Sequence, residues 1–257
     1  MGPIIVFLIS AGGLFVGMVL LLELGRRLGR RRQGKDLEGA RAGLGAVEGA
    51  VFTLLGLLIA FTFSGAASRF DARRQLIVQE ANAIGTAWLR LDLLPASAQP
   101  ELRDLFRRYL DLRLAAYRKM PDIEAALAEL SKSTALQGEI WKKGVAACQE
   151  SPNPAKVQLI PALNEMFDLA ATRALAAQMH PPAIIFVMLG VLALMSSLLA
   201  GYAMAGGKTR SWIHVVGFAL IMATTVYVIL DLEFPRLGII RIDAFDQVFV
   251  DLRQSMQ

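Results

Sequence analysis

At 257 residues with 55% hydrophobic and 19% charged residues and a mean hydropathy of +0.48, the chain is too apolar for an ordinary water-soluble domain, so its charges must be segregated. The net charge of +5 sits largely in arginine runs beside apolar segments, and the nearly balanced middle of the chain excludes a basic nucleic-acid-binding face. A single cysteine, Cys148, excludes an intrachain disulfide and a Cys/His zinc cluster, and the lack of GxSxG, HExxH or a phosphate-cradling glycine loop leaves no catalytic residue, metal or cofactor to predict.

A hydrocarbon core needs about 20 apolar residues in one helix, and four stretches reach that length: Pro3–Leu24, Leu44–Ala67, Pro182–Ala205 and Ser211–Leu232. Backbone groups in lipid must bond within their own segment, so each is read as a helix despite its glycines and β-branched residues. The first is longer than a signal-peptide core and lacks a basic region ahead of it, which reads as a retained membrane helix. Gly25–Gly43 follows as a basic loop, with Arg26, Arg27, Arg30, Arg31, Arg32, Lys35 and Arg41 against Asp36 and Glu38.

The second span holds the features that point to function. Gly45, Gly49, Gly56 and Ala60 form a small-residue face suited to close helix packing, or alternatively to lining a pore. Glu48 lies in the first turns of the span, where a carboxylate is costly; it serves an ion pathway or pairs with an arginine of the basic loop. Phe61 and Phe63 alternate with hydroxyls as the span ends, and form either an apolar constriction repeated by several subunits or an interfacial aromatic belt.

Residues 68–180 read as a water-exposed helical bundle. Ile77, Ala81, Ile84, Trp88 and Leu91 make an apolar stripe at steps of three and four, with Arg73, Arg74, Glu80 and Arg90 off it, so an amphipathic helix continues from the second span. Leu94-Pro95 ends that helix. A second helix runs over Glu101–Lys119, with Leu102, Leu105, Phe106, Tyr109, Leu112 and Leu114 apolar, and a third over Ile123–Gln149. The Ser151-Pro152-Asn153-Pro154 run is a turn before a fourth, Ala155–Met179. His180 and His214 stand at the edges of apolar segments, as interfacial anchors do.

After the last two spans (residues 181–235 with their short turn Gly206–Arg210, which adds Lys208 and Arg210), residues 236–257 form a C-terminal tail. Asp231 and Glu233 end the fourth span; they line a cation entrance or pair with Arg69, Arg73 and Arg74. The fold class is thus all-α: residues 1–67 hold two spans and a basic loop, 68–180 a helical domain, and 181–235 two further spans. Basic loops 25–43 and 206–210 favour the cytoplasm, which places domain 68–180 in the periplasm of a bacterial inner membrane. Without internal repeats, an inverted-repeat transporter has no support.

Three runs carry a resemblance: Gly56-Leu57-Leu58-Ile59-Ala60-Phe61-Thr62-Phe63-Ser64, Arg73 through Ala87, and Asp231-Leu232-Glu233-Phe234-Pro235-Arg236-Leu237-Gly238. With these the chain resembles the bestrophin-like domain family of bacterial membrane proteins. The resemblance implies a homo-oligomeric ring, a pentamer, in the lipid bilayer around a pore that passes inorganic ions and is lined by the second span. It implies also an apolar neck, for which Phe61 and Phe63 stand at a plausible place. No acidic calcium clasp is present, so calcium gating is not expected. The alternative is a membrane-anchored sensor or scaffold whose helical domain binds a partner protein.

Overall fold

The computed structural model describes residues 3–32, 38–151, 153–207 and 211–256. Among the described residues the α-helices, in chain order, are α1 (Pro3–Arg32), α2 (Glu38–Arg90), α3 (Gln99–Arg118), α4 (Ile123–Gln149), α5 (Asn153–Ala176), α6 (Ala183–Ala203), α7 (Trp212–Glu233) and α8 (Gln247–Ser255). No strand occurs among the described residues. The chain divides into two compact units, one of residues 1–69 and 180–234, the other of 70–179 and 235–257.

The four expected spans fall in α1, α2, α6 and α7, each long and apolar enough to cross a membrane. In the first unit α1 packs against α6 and α7, with Met18, Leu55, Ala66, Leu189, Ala193, Ala219 and Ile229 buried between the helices. The outer surface is more apolar than a water-soluble protein allows: Ile9, Leu20, Ile184 and Ile221 are all exposed. That inversion is the signature of hydrocarbon as solvent.

The closest helix contact comes from glycines that the sequence reading placed elsewhere. A Cβ on Gly25 would lie 2.0 Å from the Leu198 carbonyl oxygen, and one on Gly201 would lie 2.0 Å from that of Leu22. Gly25 and Gly29, four residues apart on α1, let the backbones of α1 and α6 touch, as small-residue pairs do between membrane helices. Gly25–Gly43 was expected to be a loop, yet α1 runs on to Arg32 and α2 begins at Glu38. Arginine is a good helix former, and helices do not stop at the edge of hydrocarbon. Lys35, Asp36, Pro152, Lys208 and Arg210, singled out above, lie outside the described residues.

The second unit is a bundle whose core holds Ile77, Ile84, Trp88, Leu102, Phe106, Tyr109, Leu110, Ile140 and Leu159. The stripe expected from Ile77 to Leu91 is buried along its length, and α2 continues without a break through the second span to Arg90. At the α3–α4 junction, Asp122 caps α4 by accepting a hydrogen bond from the Ala125 amide at 3.0 Å. The C-terminal residues join this core: α8 buries Phe249, and Met256 closes the same cluster. The alternation Phe245, Val248, Phe249, Leu252 supplies that apolar face.

Candidate ion pathway

Along α2 the residues divide by side. Leu55 and Ala66 are buried, and Phe52 packs edge-on against Phe218 of α7 at 6.2 Å. Gly45, Gly49, Thr53, Gly56, Ala60 and Phe63, at steps of three and four, fall on one exposed face. Gly45, Gly49 and Gly56 have nothing within 4 Å of where a Cβ would stand. Among the described residues, then, nothing packs against these three glycines, and close helix packing is seen at Gly25, Gly29 and Gly201.

Phe61 and Phe63 are 68% and 44% exposed, and Phe61 lies on a neighbouring exposed stripe with Val47, Leu54 and Leu57. The hydroxyls on this helix are partly spent on its own backbone: Thr53 Oγ1 donates to the Gly49 carbonyl at 2.8 Å and Thr62 Oγ1 to that of Leu58 at 2.7 Å. Such back-bonding lets a polar residue sit in an apolar helix at little cost. Glu48 is half-buried, and among the described residues it forms no ion pair.

Asp231 and Glu233 are both wholly buried and lie apart in chemistry from the α2 face. Glu233 Oε2 accepts from Arg69 Nε at 2.9 Å and Nη2 at 2.7 Å, and its Oε1 accepts from the same Nε at 3.1 Å. His180 Nδ1 donates to Glu233 Oε1 at 2.9 Å, and its ring stacks on Phe234 with centroids 4.3 Å apart. The carboxylate thus ends α7 in an ion pair with Arg69, a contact expected by one of the two readings of its sequence position. His180 was read as an interfacial anchor only; its role in orienting Glu233 had no sequence signal, because 53 residues separate them.

The second unit contains a buried charge network that the sequence reading missed. Glu80 was placed off the apolar stripe of α2, but it is wholly buried. Its Oε1 accepts from Arg113 Nε at 2.6 Å and its Oε2 from Arg173 Nη1 at 2.8 Å. Arg173 reaches on to Asp246 at 3.1 Å, and Asp246 also accepts from Arg236 at 2.8 Å. The Arg173 guanidinium lies 3.7 Å from the Tyr117 ring centroid, with Arg236 and Arg113 at 4.7 and 5.3 Å. Each arginine is thereby met by a carboxylate and an aromatic face, which makes buried cations tolerable. Burial disfavours the charge on Arg113, but Tyr117, Glu80 and Tyr109 outweigh it and raise its pKa. Glu80 shares its flank with Ile84, Ala87 and Leu91, which is the pattern that places it inside.

No group of three or more His, Cys, Asp or Glu side chains able to hold a metal occurs among the described residues. The family model for the Bestrophin-like domain matches residues 7–244. The chain belongs to the bestrophin-like family. No curated protein matches the sequence. Among solved structures, two point variants of a bacterial bestrophin homologue from Klebsiella pneumoniae superpose with TM-scores of 0.67 and 0.69 at 13% and 14% identity. The first covers 96% of this chain and 97% of its own, the second 94% and 98%. A further structure of the Klebsiella pneumoniae homologue gives a TM-score of 0.61 at 14% identity, covering 93% of this chain and 98% of its own. The bestrophin fold therefore extends over nearly the whole polypeptide, although few side chains are shared.

Proposed function

We propose that this bestrophin-like protein is a homo-oligomeric ion channel whose pore is lined by the exposed small-residue face of α2. The observation that carries the reading is the open space beside Gly45, Gly49 and Gly56. A row of glycines that meets nothing among the described residues is not used for packing there, whereas around a symmetry axis it leaves room for ions and water. Family membership supports the same reading, with five subunits as the number the resemblance suggests. Phe63, on that face near its end, and Phe61 beside it supply an apolar neck. Glu48, toward the other end, sets the charge met by an entering ion. Asp231 and Glu233 act outside the pore, holding the end of α7 through pairs such as Arg69–Glu233.

The positive-inside bias supports a bacterial inner-membrane location with segments 25–43 and 206–210 in the cytoplasm and residues 68–180 in the periplasm. Impermeant thiol labelling of a cysteine placed in residues 33–37 tests this sidedness.

The conduction reading is tested in planar bilayers, on a background in which buried Cys148 is replaced by alanine. Cysteine at Gly49, Gly56 or Ala60 should allow a permeant thiol reagent to block the current, while cysteine at Leu55, on the buried side, should not. Phe63→Ala should raise the current severalfold by widening the dry neck. An electrically silent protein would favour the scaffold reading, in which the helical domain binds a partner and α2 faces lipid.

A further inference from the structure

A cavity of about 240 Å³ opens where α1, α6 and α7 come together near one end of their spans. Leu22, Met204 and Val215 give it apolar walls, and Glu23, Arg26 and Ser211 are its polar lining. Arg26 is only 8% exposed, and among the described residues its Nε has no hydrogen-bond partner. Leaving a buried guanidinium donor unmet is costly, and more so for a charged group than for a neutral one. The carboxylate nearest in sequence is already engaged, since Glu23 Oε1 accepts from Arg27 Nε at 2.9 Å.

We propose that this cavity receives the phosphate of an anionic phospholipid headgroup, with Arg26 as its principal ligand. Arginine matches an oxyanion with parallel N–H donors, and Ser211, whose hydroxyl is hydrogen-bonded to His214 Nδ1, lies in the same lining. The surroundings favour a lipid over a free anion. Leu24, Leu28 and Ile213 are 46%, 43% and 85% exposed beside it, an apolar flank on which acyl chains can lie. Arg30 and Arg31, exposed on the next turn of α1, attract anionic headgroups to this end of the membrane. The close α1–α6 contact at Gly25 and Gly201 fixes the walls, so the site exists before the lipid arrives. The inference rests on the membrane spans and not on conduction.

The test uses the full-length protein in neutral detergent, titrated with phosphatidylglycerol, with phosphatidylcholine of the same chains, or with inorganic phosphate. The readouts are thermal shift and native mass spectrometry. Wild type should retain one phosphatidylglycerol per chain and gain stability from it, with little response to phosphatidylcholine or phosphate. Arg26→Gln should weaken that binding about tenfold or more, while Arg31→Gln leaves it within about twofold of wild type. Equal losses from both variants would reduce the effect to surface charge and overturn the site. A full response to inorganic phosphate alone would overturn the lipid as its source. Should Arg26→Gln fail to fold, the wild-type spectrum decides: no retained phosphatidylglycerol overturns the proposal.

Discussion

The two units solve opposite solvation problems with the same secondary structure. In the unit of residues 1–69 and 180–234, leucine, isoleucine and phenylalanine face outward, and the interior includes small residues, Ser196, Ser197, Asp231 and Glu233. In the unit of residues 70–179 and 235–257, large apolar side chains fill the core and most charges face out, with the Glu80 network as the exception. Hydrocarbon gives no reward for hiding leucine, so membrane helices associate through close backbone approach, here at Gly25 and Gly201. Water does give that reward, about 25 cal/mol per Å² of apolar surface removed, so the second unit packs by side-chain volume and can carry one costly buried network.

This contrast is broken or sharpened by substitution, with Trp88 and Trp141 reporting on the second unit and Trp212 on the first. The largest effect is expected at Glu80. Glu80→Ala leaves Arg113 and Arg173 without their shared carboxylate and should cost about 3–5 kcal/mol, read as an early melt of the Trp88 and Trp141 signal. Loss of less than about 1 kcal/mol, the scale of an exposed ion pair, would mean that the network is solvated. Next comes Gly201→Ala, which sets a methyl group against the backbone oxygen of Leu22. The cost should be about 1–3 kcal/mol, seen first in the Trp212 signal, whereas Gly56→Ala, with open space around it, should leave the melt unchanged.

The smallest effect is a pH dependence confined to the second unit. Hydrogen bonds from Lys119 and then Lys132 hold the Glu129 carboxyl below its usual range. A depressed folded pKa contributes stability above the unfolded carboxylate value and loses it as pH falls through the folded one. Melting temperature should therefore fall slightly on acidification through this window, and Glu129→Gln should flatten that part of the curve. An identical acid slope in the variant would assign the dependence to other groups.

The spans were legible because hydrocarbon imposes a length and a composition at once, and few other environments demand both. The stripe from Ile77 to Leu91 was legible for a related reason: a half-buried helix must repeat at 3.6 residues. The packing glycines were not, because Gly25-Arg26-Arg27-Leu28-Gly29 lies in a segment whose charges resemble a loop, although its four-residue spacing was a usable signal. Glu80 escaped because one carboxylate on a helix flank becomes buried only if arginines from α3 and α5 arrive to meet it, and those partners are 33 and 93 residues away. Gly49, Gly56 and Ala60, read first as a packing face, share that face with the ion-pathway candidate Phe63 because they share a helix. The pairing of Glu233 lay beyond such reasoning, since it depends on tertiary contact with Arg69 and His180.

An image of the detergent-purified particle, at a resolution that separates helices, bears most directly on the channel reading. A closed ring of subunits with an axial opening, and with the Gly49–Phe63 face of α2 turned to that axis, is the expected result. A monomer, or a ring in which α2 turns that face to lipid, would contradict it.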